Sequence, residues 1–190
     1  MTEPYKIIEV KESVFADNDR EAARLRTQLK QDRTFLLNLM SSPGSGKTTI
    51  GTRLAAQLGR TFLDADTVLE QKAGMNIPEI FRLEGEDGFR QRETAVLAEL
   101  GKRSGLVIAT GGGCVTRAEN YPLLHQNGTI FCLTRELDRL PLDGRPVSQA
   151  LGAEEIYRRR KPLYEKFADA MINNDRTVED AVHQILEVLG

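Results

Sequence analysis

Cysteine is scarce in this chain: there are two in 190 residues, Cys114 and Cys132. Neither sits in a CxxC or a Cys/His spacing, so structural zinc and a secreted disulfide framework are both excluded. The two residues read as reduced, buried thiols. A basic surplus is missing as well, and a net charge of −2 argues against a nucleic-acid binder. No apolar run approaches the length of a membrane span. Met1-Thr2-Glu3-Pro4-Tyr5-Lys6 lacks the apolar core of a signal peptide, so the expected compartment is the cytoplasm. Internal repeats and low-complexity segments are lacking too. What is present is 40% hydrophobic and 28% charged residues, the composition of a globular domain large enough for one sizeable core.

Short apolar runs alternate with helix-period segments, which predicts a parallel α/β sheet. The candidate strands are 35–40, 61–65, 106–110, 129–133 and 170–173. Most are continuously apolar, as strands covered on both faces must be. Between them, Ile50, Leu54 and Leu58 share one helix face. Val178, Ala181, Val182, Ile185, Leu186 and Leu189 form the apolar stripe of a last helix. Residues 1–33 precede the first strand and read as an N-terminal extension. Within it, Asp17 or Asn18 could cap a polar surface helix over 19–31, with Ala22, Leu25 and Leu29 as its thin apolar face. The expected domain then spans 34–190.

The first strand runs into Ser41-Ser42-Pro43-Gly44-Ser45-Gly46-Lys47-Thr48-Thr49, and a helix follows. Strand, glycine-containing loop and helix form the context in which such a pattern binds phosphate. Gly44 and Gly46 let consecutive backbone N–H groups, with Ser45 between them, turn toward phosphate oxygens, and the helix N-terminus adds partial positive charge. Lys47 would reach the β- and γ-phosphates, Thr48 would ligate Mg²⁺, and Thr49 completes the ATP-binding run. The usual pattern opens on glycine, whereas Ser41 stands there in this chain. A chance glycine-rich turn is the plain alternative, and the strand and helix on either side argue against it.

Four later segments bear on the acceptor. Asp64 and Asp66 close the second strand, where a D-x-D can equally be a simple helix cap. Gly85-Glu86-Asp87-Gly88-Phe89-Arg90-Gln91-Arg92-Glu93 opens a helix, with Glu93 one turn from Arg90 and able to hold its guanidinium. Gly111-Gly112-Gly113 follows a strand directly, which suits a backbone that must approach a ligand closely. Arg160-Lys161-Pro162-Leu163-Tyr164 lies in a helical region, with Gly144-Arg145-Pro146 in the loop before it. Arg158, Arg159 and Lys161 read as a solvated face, and His125 and His183 as structural or exposed.

Taken in this order, from about residue 35 to the C-terminus, these segments closely resemble the shikimate kinase family. The resemblance implies a P-loop, nucleoside monophosphate kinase-like three-layer α/β/α fold with a five-stranded parallel sheet. It also implies ATP-dependent phosphorylation of the shikimate 3-hydroxyl with Mg²⁺, in aromatic amino acid biosynthesis. By position, Asp66 matches the aspartate that binds the shikimate hydroxyls near the attacking oxygen, and Asp64 one near the Mg²⁺ shell. Arg90 and Arg160 match the two arginines on the substrate carboxylate, and Gly111, Gly112 and Gly113 the pocket-lining glycines. Arg145 matches the arginine of a lid, expected over 138–152, that closes on the phosphates. Here Val147-Ser148 replaces the usual two leucines after Arg145-Pro146, and the spacing from Arg139 is compact. The implied partners are ATP and shikimate as small molecules, with neither nucleic acid nor membrane, acting on a monomer.

Residues 18–49 also resemble the start of the hydrogenase nickel-insertion GTPases, which carry serine at the position of Ser41. That resemblance stops near Thr49, and no N-K-x-D element for reading guanine occurs in the sequence. Gluconate kinase shares the general architecture, but the paired arginines favour a carboxylate-bearing ring such as shikimate. A weakened nucleotide-binding protein is the non-enzymatic alternative.

Overall fold

The computed structural model describes residues 36–40, 46–135 and 147–190, with side chains from Gly46 onward except for 147–151 and 153. The expected extension over 1–33 and its helix lie outside the described residues. So do Ser41, Gly44, Ser45, Arg139 and Arg145, and all of the expected lid before Val147.

Five strands were expected and five are found: β1 (Leu36–Met40), β2 (Thr61–Asp64), β3 (Leu106–Ala109), β4 (Gly128–Thr134) and β5 (Ala170–Asn173). They form one sheet in the order β2-β3-β1-β4-β5, and every pairing is parallel. The described helices are α1 (Lys47–Leu58), α2 (Ala65–Ala73), α3 (Ile77–Leu100), α4 (Asn120–His125), α5 (Val147–Phe167) and α6 (Val178–Leu189). The last six residues of the expected lid, from Val147, are the first turns of α5.

Successive residues of a strand face opposite sides, and here both sides are buried. Leu106, Ile108, Ile130 and Cys132 join one core cluster with residues of α2, α3, α4 and α5. Their neighbours Val107, Phe131 and Leu133 are equally buried but lie outside that cluster, as do Ile50 and Leu54 of α1 and Ala181, Val182 and Ile185 of α6. Helix α1 packs on α6 and β3, and α6 on β5, so helices cover the sheet on both faces. Continuous apolar strands are the sequence signature of this double burial.

Local signals set where the helices begin. Asp64 caps α2 by accepting from the Asp66 amide at 3.0 Å. Asn76 caps α3 through the Glu79 amide at 2.9 Å. Thr177 and Asp180 cap α6 reciprocally. Helix α3 is broken inside by Gly85, at φ 70° and ψ −171°, a conformation open only to glycine. Arg92 spans this break with two bonds to Glu84, of 2.7 and 2.8 Å.

At the edge where the strands begin, Asp169 ties β4 to β5. Its carboxylate accepts from the Ile130 amide at 2.8 Å and lies 3.0 Å from His125 Nε2. His183 is exposed and pairs with Glu187. Among the described residues no helix is long and apolar enough to cross a membrane.

Gly101 closes α3 where α4 crosses it, and a Cβ there would overlap the backbone carbonyl oxygen of Leu123. Because that oxygen belongs to the backbone, it cannot swing aside. Gly101→Ala should therefore cost about 1–3 kcal/mol of stability. The cost would be seen as a lower urea midpoint at unchanged slope, and an unaltered midpoint would show that the α3–α4 crossing is looser than described.

Candidate active site

The parallel sheet brings the chemistry-bearing residues to one edge. Leu39 of β1 pairs with Ala109 of β3, and Ala109 with Asp64 of β2, so the three strands end in one row. The segments that follow them open side by side, at the point where the chain changes direction across the sheet, the usual place for a ligand crevice.

From β1 the chain enters α1 through Gly46, whose φ of 83° is left-handed. Lys47 is the first residue of α1 and half-buried. Burial pushes its amine below the ordinary lysine value, against the pull of Asp66 and Asp64. Thr48 and Thr49 are exposed in the same first turn. The Thr48 hydroxyl lies 3.5 Å from Asp64 Oδ2. Asn174, buried just beyond β5, packs its side-chain amide against Gly46.

Asp64 shows that its two readings are compatible. One carboxylate oxygen caps α2 while the other faces Thr48. Asp64 ends β2 and Asp66 lies in the first turn of α2, and the cap bond between them brings the two together. Burial, with the nearby charge of Asp64, raises the Asp66 carboxyl above the ordinary aspartate value, while Lys47 and Arg90 act in the opposite direction.

Arg90 is 8% exposed and lies beside Glu93, itself 3% exposed. Their ion pair, Nη1 to Oε2, spans 2.7 Å, as the one-turn spacing suggests. Glu86 touches the same guanidinium at 3.5 Å. Burial nevertheless raises the Glu93 carboxyl despite Arg90. Glu93 Oε1 and Arg90 Nε have no hydrogen-bond partner among the described residues. Below the guanidinium lies the Phe89 ring at 5.0 Å, stacked in turn on Phe81 at 4.6 Å.

The glycine loop closes this group. A Cβ at Gly111 would sit 2.9 Å from Glu93 Oε1 and 3.1 Å from Asp66 Oδ1, and one at Gly113 would overlap the Arg90 guanidinium. The glycines are thus required by the approach of charged side chains as much as by any ligand. All three loop carbonyls accept bonds within the protein. Gly111 takes the Cys114 amide at 3.2 Å, Gly112 the Tyr164 hydroxyl at 2.6 Å, and Gly113 the Thr116 hydroxyl at 2.7 Å. Arg160 of α5 is half-buried, and its charge bears on both Glu93 and Tyr164. Arg158, Arg159 and Lys161 are exposed, as a solvated face should be.

Of the residues the sequence singled out, the structure brings together Lys47, Thr48, Asp64, Asp66, Arg90, Gly111, Gly112, Gly113 and Arg160. The sequence reading passed over the Tyr164 hydroxyl, the Phe81–Phe89 stack and Asn174. For Tyr164 a signal existed, since it lies four residues after Arg160 and so on the same helix face. Both cysteines are free and buried, and burial pushes each thiol up to about 12.

The arrangement can hold a polyphosphate at α1 and an anionic, hydroxylated molecule between Arg90, Arg160 and the glycine loop. Comparison with known proteins points the same way. The shikimate kinase family model matches residues 43–190. A shikimate kinase of Synechococcus sp. (strain CC9605) is 41% identical over 175 residues, covering 87% of this chain and 86% of that protein. One from Acinetobacter baumannii (strain AYE) is 42% identical over 161 residues, covering 80% of this chain and 89% of that protein. Among solved structures, shikimate kinase from Acinetobacter baumannii in complex with shikimate superposes with a TM-score of 0.73. It is 38% identical, and the match covers 82% of this chain and 93% of that one. A likeness of this identity, carried through nearly the whole length of its relatives, means that the chain belongs to the shikimate kinase family.

Proposed function

We propose that the protein transfers the γ-phosphoryl group of ATP to the 3-hydroxyl of shikimate, giving shikimate 3-phosphate and ADP. The observation that carries this reading is the meeting of Asp66, Arg90, Glu93 and Arg160 around Gly111–Gly113, next to Lys47. The fold is then the P-loop, nucleoside monophosphate kinase-like one, with a kinase domain over 34–190 and an extension over 1–33.

In this reading ATP lies on the loop of Gly44, Ser45 and Gly46 and on Lys47, Thr48 and Thr49, with Arg145 of the lid closing over the phosphates. Arg90 and Arg160 grip the shikimate carboxylate, each charge-assisted bond contributing about 1.5–3 kcal/mol. Glu93 keeps Arg90 in place. Asp66 accepts the proton of the attacking hydroxyl or orients it, a task helped by a carboxyl of raised basicity. Lys47 and Arg145 neutralise charge on the transferring group, which is most of what phosphoryl transfer asks of a protein.

The Thr48 hydroxyl and the Asp64 carboxylate, 3.5 Å apart, are hard oxygen donors of the kind Mg²⁺ takes. These two residues would hold Mg²⁺ with ATP, and the ion would supply positive charge against that of the phosphates. Two free, buried thiols suit the reducing cytoplasm.

The deciding experiment is a coupled ADP assay with Mg-ATP and shikimate, gluconate or no acceptor, beside a GTP hydrolysis assay. Turnover with shikimate alone is expected, and gluconate or GTP turnover in its place would overturn the reading. Lys47→Ala should lower kcat by roughly 10²–10³, the scale of one lost transition-state donor, and near-normal turnover would remove Lys47 from the chemistry. Gly113→Ala should displace the Arg90 guanidinium, which can move where backbone cannot. It should raise the KM for shikimate roughly 10–100-fold and lower the melting midpoint as the buried pair with Glu93 is disturbed, and an unchanged KM would contradict the role of Arg90.

A further inference from the structure

Tyr164 is one of the largest fully buried side chains in the protein, at 2% exposure, yet its hydroxyl is committed to a distant backbone group. It lies 2.6 Å from the carbonyl oxygen of Gly112. A carbonyl can only accept, so the phenol is the donor there, and its own lone pairs remain for another group. Arg160 lies one turn earlier on the same face of α5, and its charge bears on the phenol. The Tyr164 bond thereby ties the helix that carries Arg160 to the glycine loop. Burial also raises the phenol above the ordinary tyrosine value, which keeps its proton in place.

The other end of the contact matters equally. Gly112 is followed by Gly113, which lies against the Arg90 guanidinium so closely that a methyl group would not fit. A shift of the Gly112 peptide by a few tenths of an ångström therefore reaches Arg90. Tyr164 thus links α5, which carries Arg160, to the loop that lies against Arg90.

We propose that Tyr164 is a positioning residue for the substrate carboxylate. Its hydroxyl holds α5 and the glycine loop at a fixed separation, so that Arg160 and Arg90 form one preorganised anion clamp. This rests on the reading of Arg90 and Arg160 as carboxylate ligands. A residue serving the core alone would fill the same volume with its ring and would not distinguish one substrate from the other. The hydroxyl is the part that does.

The test uses the full chain with Tyr164→Phe, Arg160→Lys and the two together. The readouts are KM for each substrate, kcat, and the shift in melting midpoint on adding shikimate. Tyr164→Phe should raise the KM for shikimate roughly tenfold, about the net worth of one hydrogen bond. It should leave the KM for ATP within about twofold and shrink the shikimate-induced melting shift. In the Arg160→Lys background the same change should add little, because the two residues act as a unit. Equal rises in both KM values, or multiplicative effects in the double variant, would overturn the proposal. Failure of Tyr164→Phe to fold would make Tyr164 a core strut and overturn it too. A parent protein that neither binds nor phosphorylates shikimate would sink the functional reading itself, a result distinct from any of these.

Discussion

Arg90 and Glu93 stand one helical turn apart, both nearly sealed from water, with 2.7 Å between guanidinium and carboxylate. Removing two charges from water costs several kcal/mol each, and a buried pair returns that only where its remaining valences are also filled. Here they are not: Glu93 Oε1 and Arg90 Nε have no partner among the described residues. The carboxyl of Glu93 stays raised even beside a cation, so burial outweighs the pair. Such a pair is poor material for stability and good material for a binding site, because an incoming anion can accept from Arg90 Nε and an incoming hydroxyl can donate to Glu93 Oε1. Nearby features follow from making room for it. Gly113 must lack a side chain, and Phe89 lies flat beneath the guanidinium.

On the nucleotide side the constraint comes from strand register. Because β1, β2 and β3 finish in one row, the lysine that begins α1 comes near the carboxylates that follow β2. Lys47 and Asp66 then perturb each other across the space where phosphate and hydroxyl would meet. The two halves of the site are joined electrostatically through Asp66, on which both Lys47 and Arg90 act.

Much of this was legible in the sequence, for reasons that can be stated residue by residue. Strands buried on both faces are written as unbroken apolar runs, so all five could be placed to within a residue or two. Lys47 was legible from the glycine-bearing loop between a strand and a helix, and the pair Arg90 and Glu93 from the one-turn spacing of a helix. The Tyr164 contact was not, since a hydroxyl 52 residues from its acceptor leaves no local pattern. Asn174 meets Gly46 only because β5 and β1 flank β4, a fact of topology. The break at Gly85 was half-legible: glycine marked the start of a helix there, and the turns before it, from Ile77, were not foreseen.

That break has a consequence for cooperativity. The helical backbone is interrupted at Gly85, so what looks like one rod of 24 residues is two helices joined at a kink. Residues after the break carry Phe89, Val96, Leu97 and Leu100 into the core and are anchored to it. Those before it carry the exposed Phe81 and Leu83 and bury little beyond Ile80. The part before Gly85 thus has less buried apolar surface to oppose local opening than the part after it, and the Arg92–Glu84 bridge and the Phe81–Phe89 stack join the two.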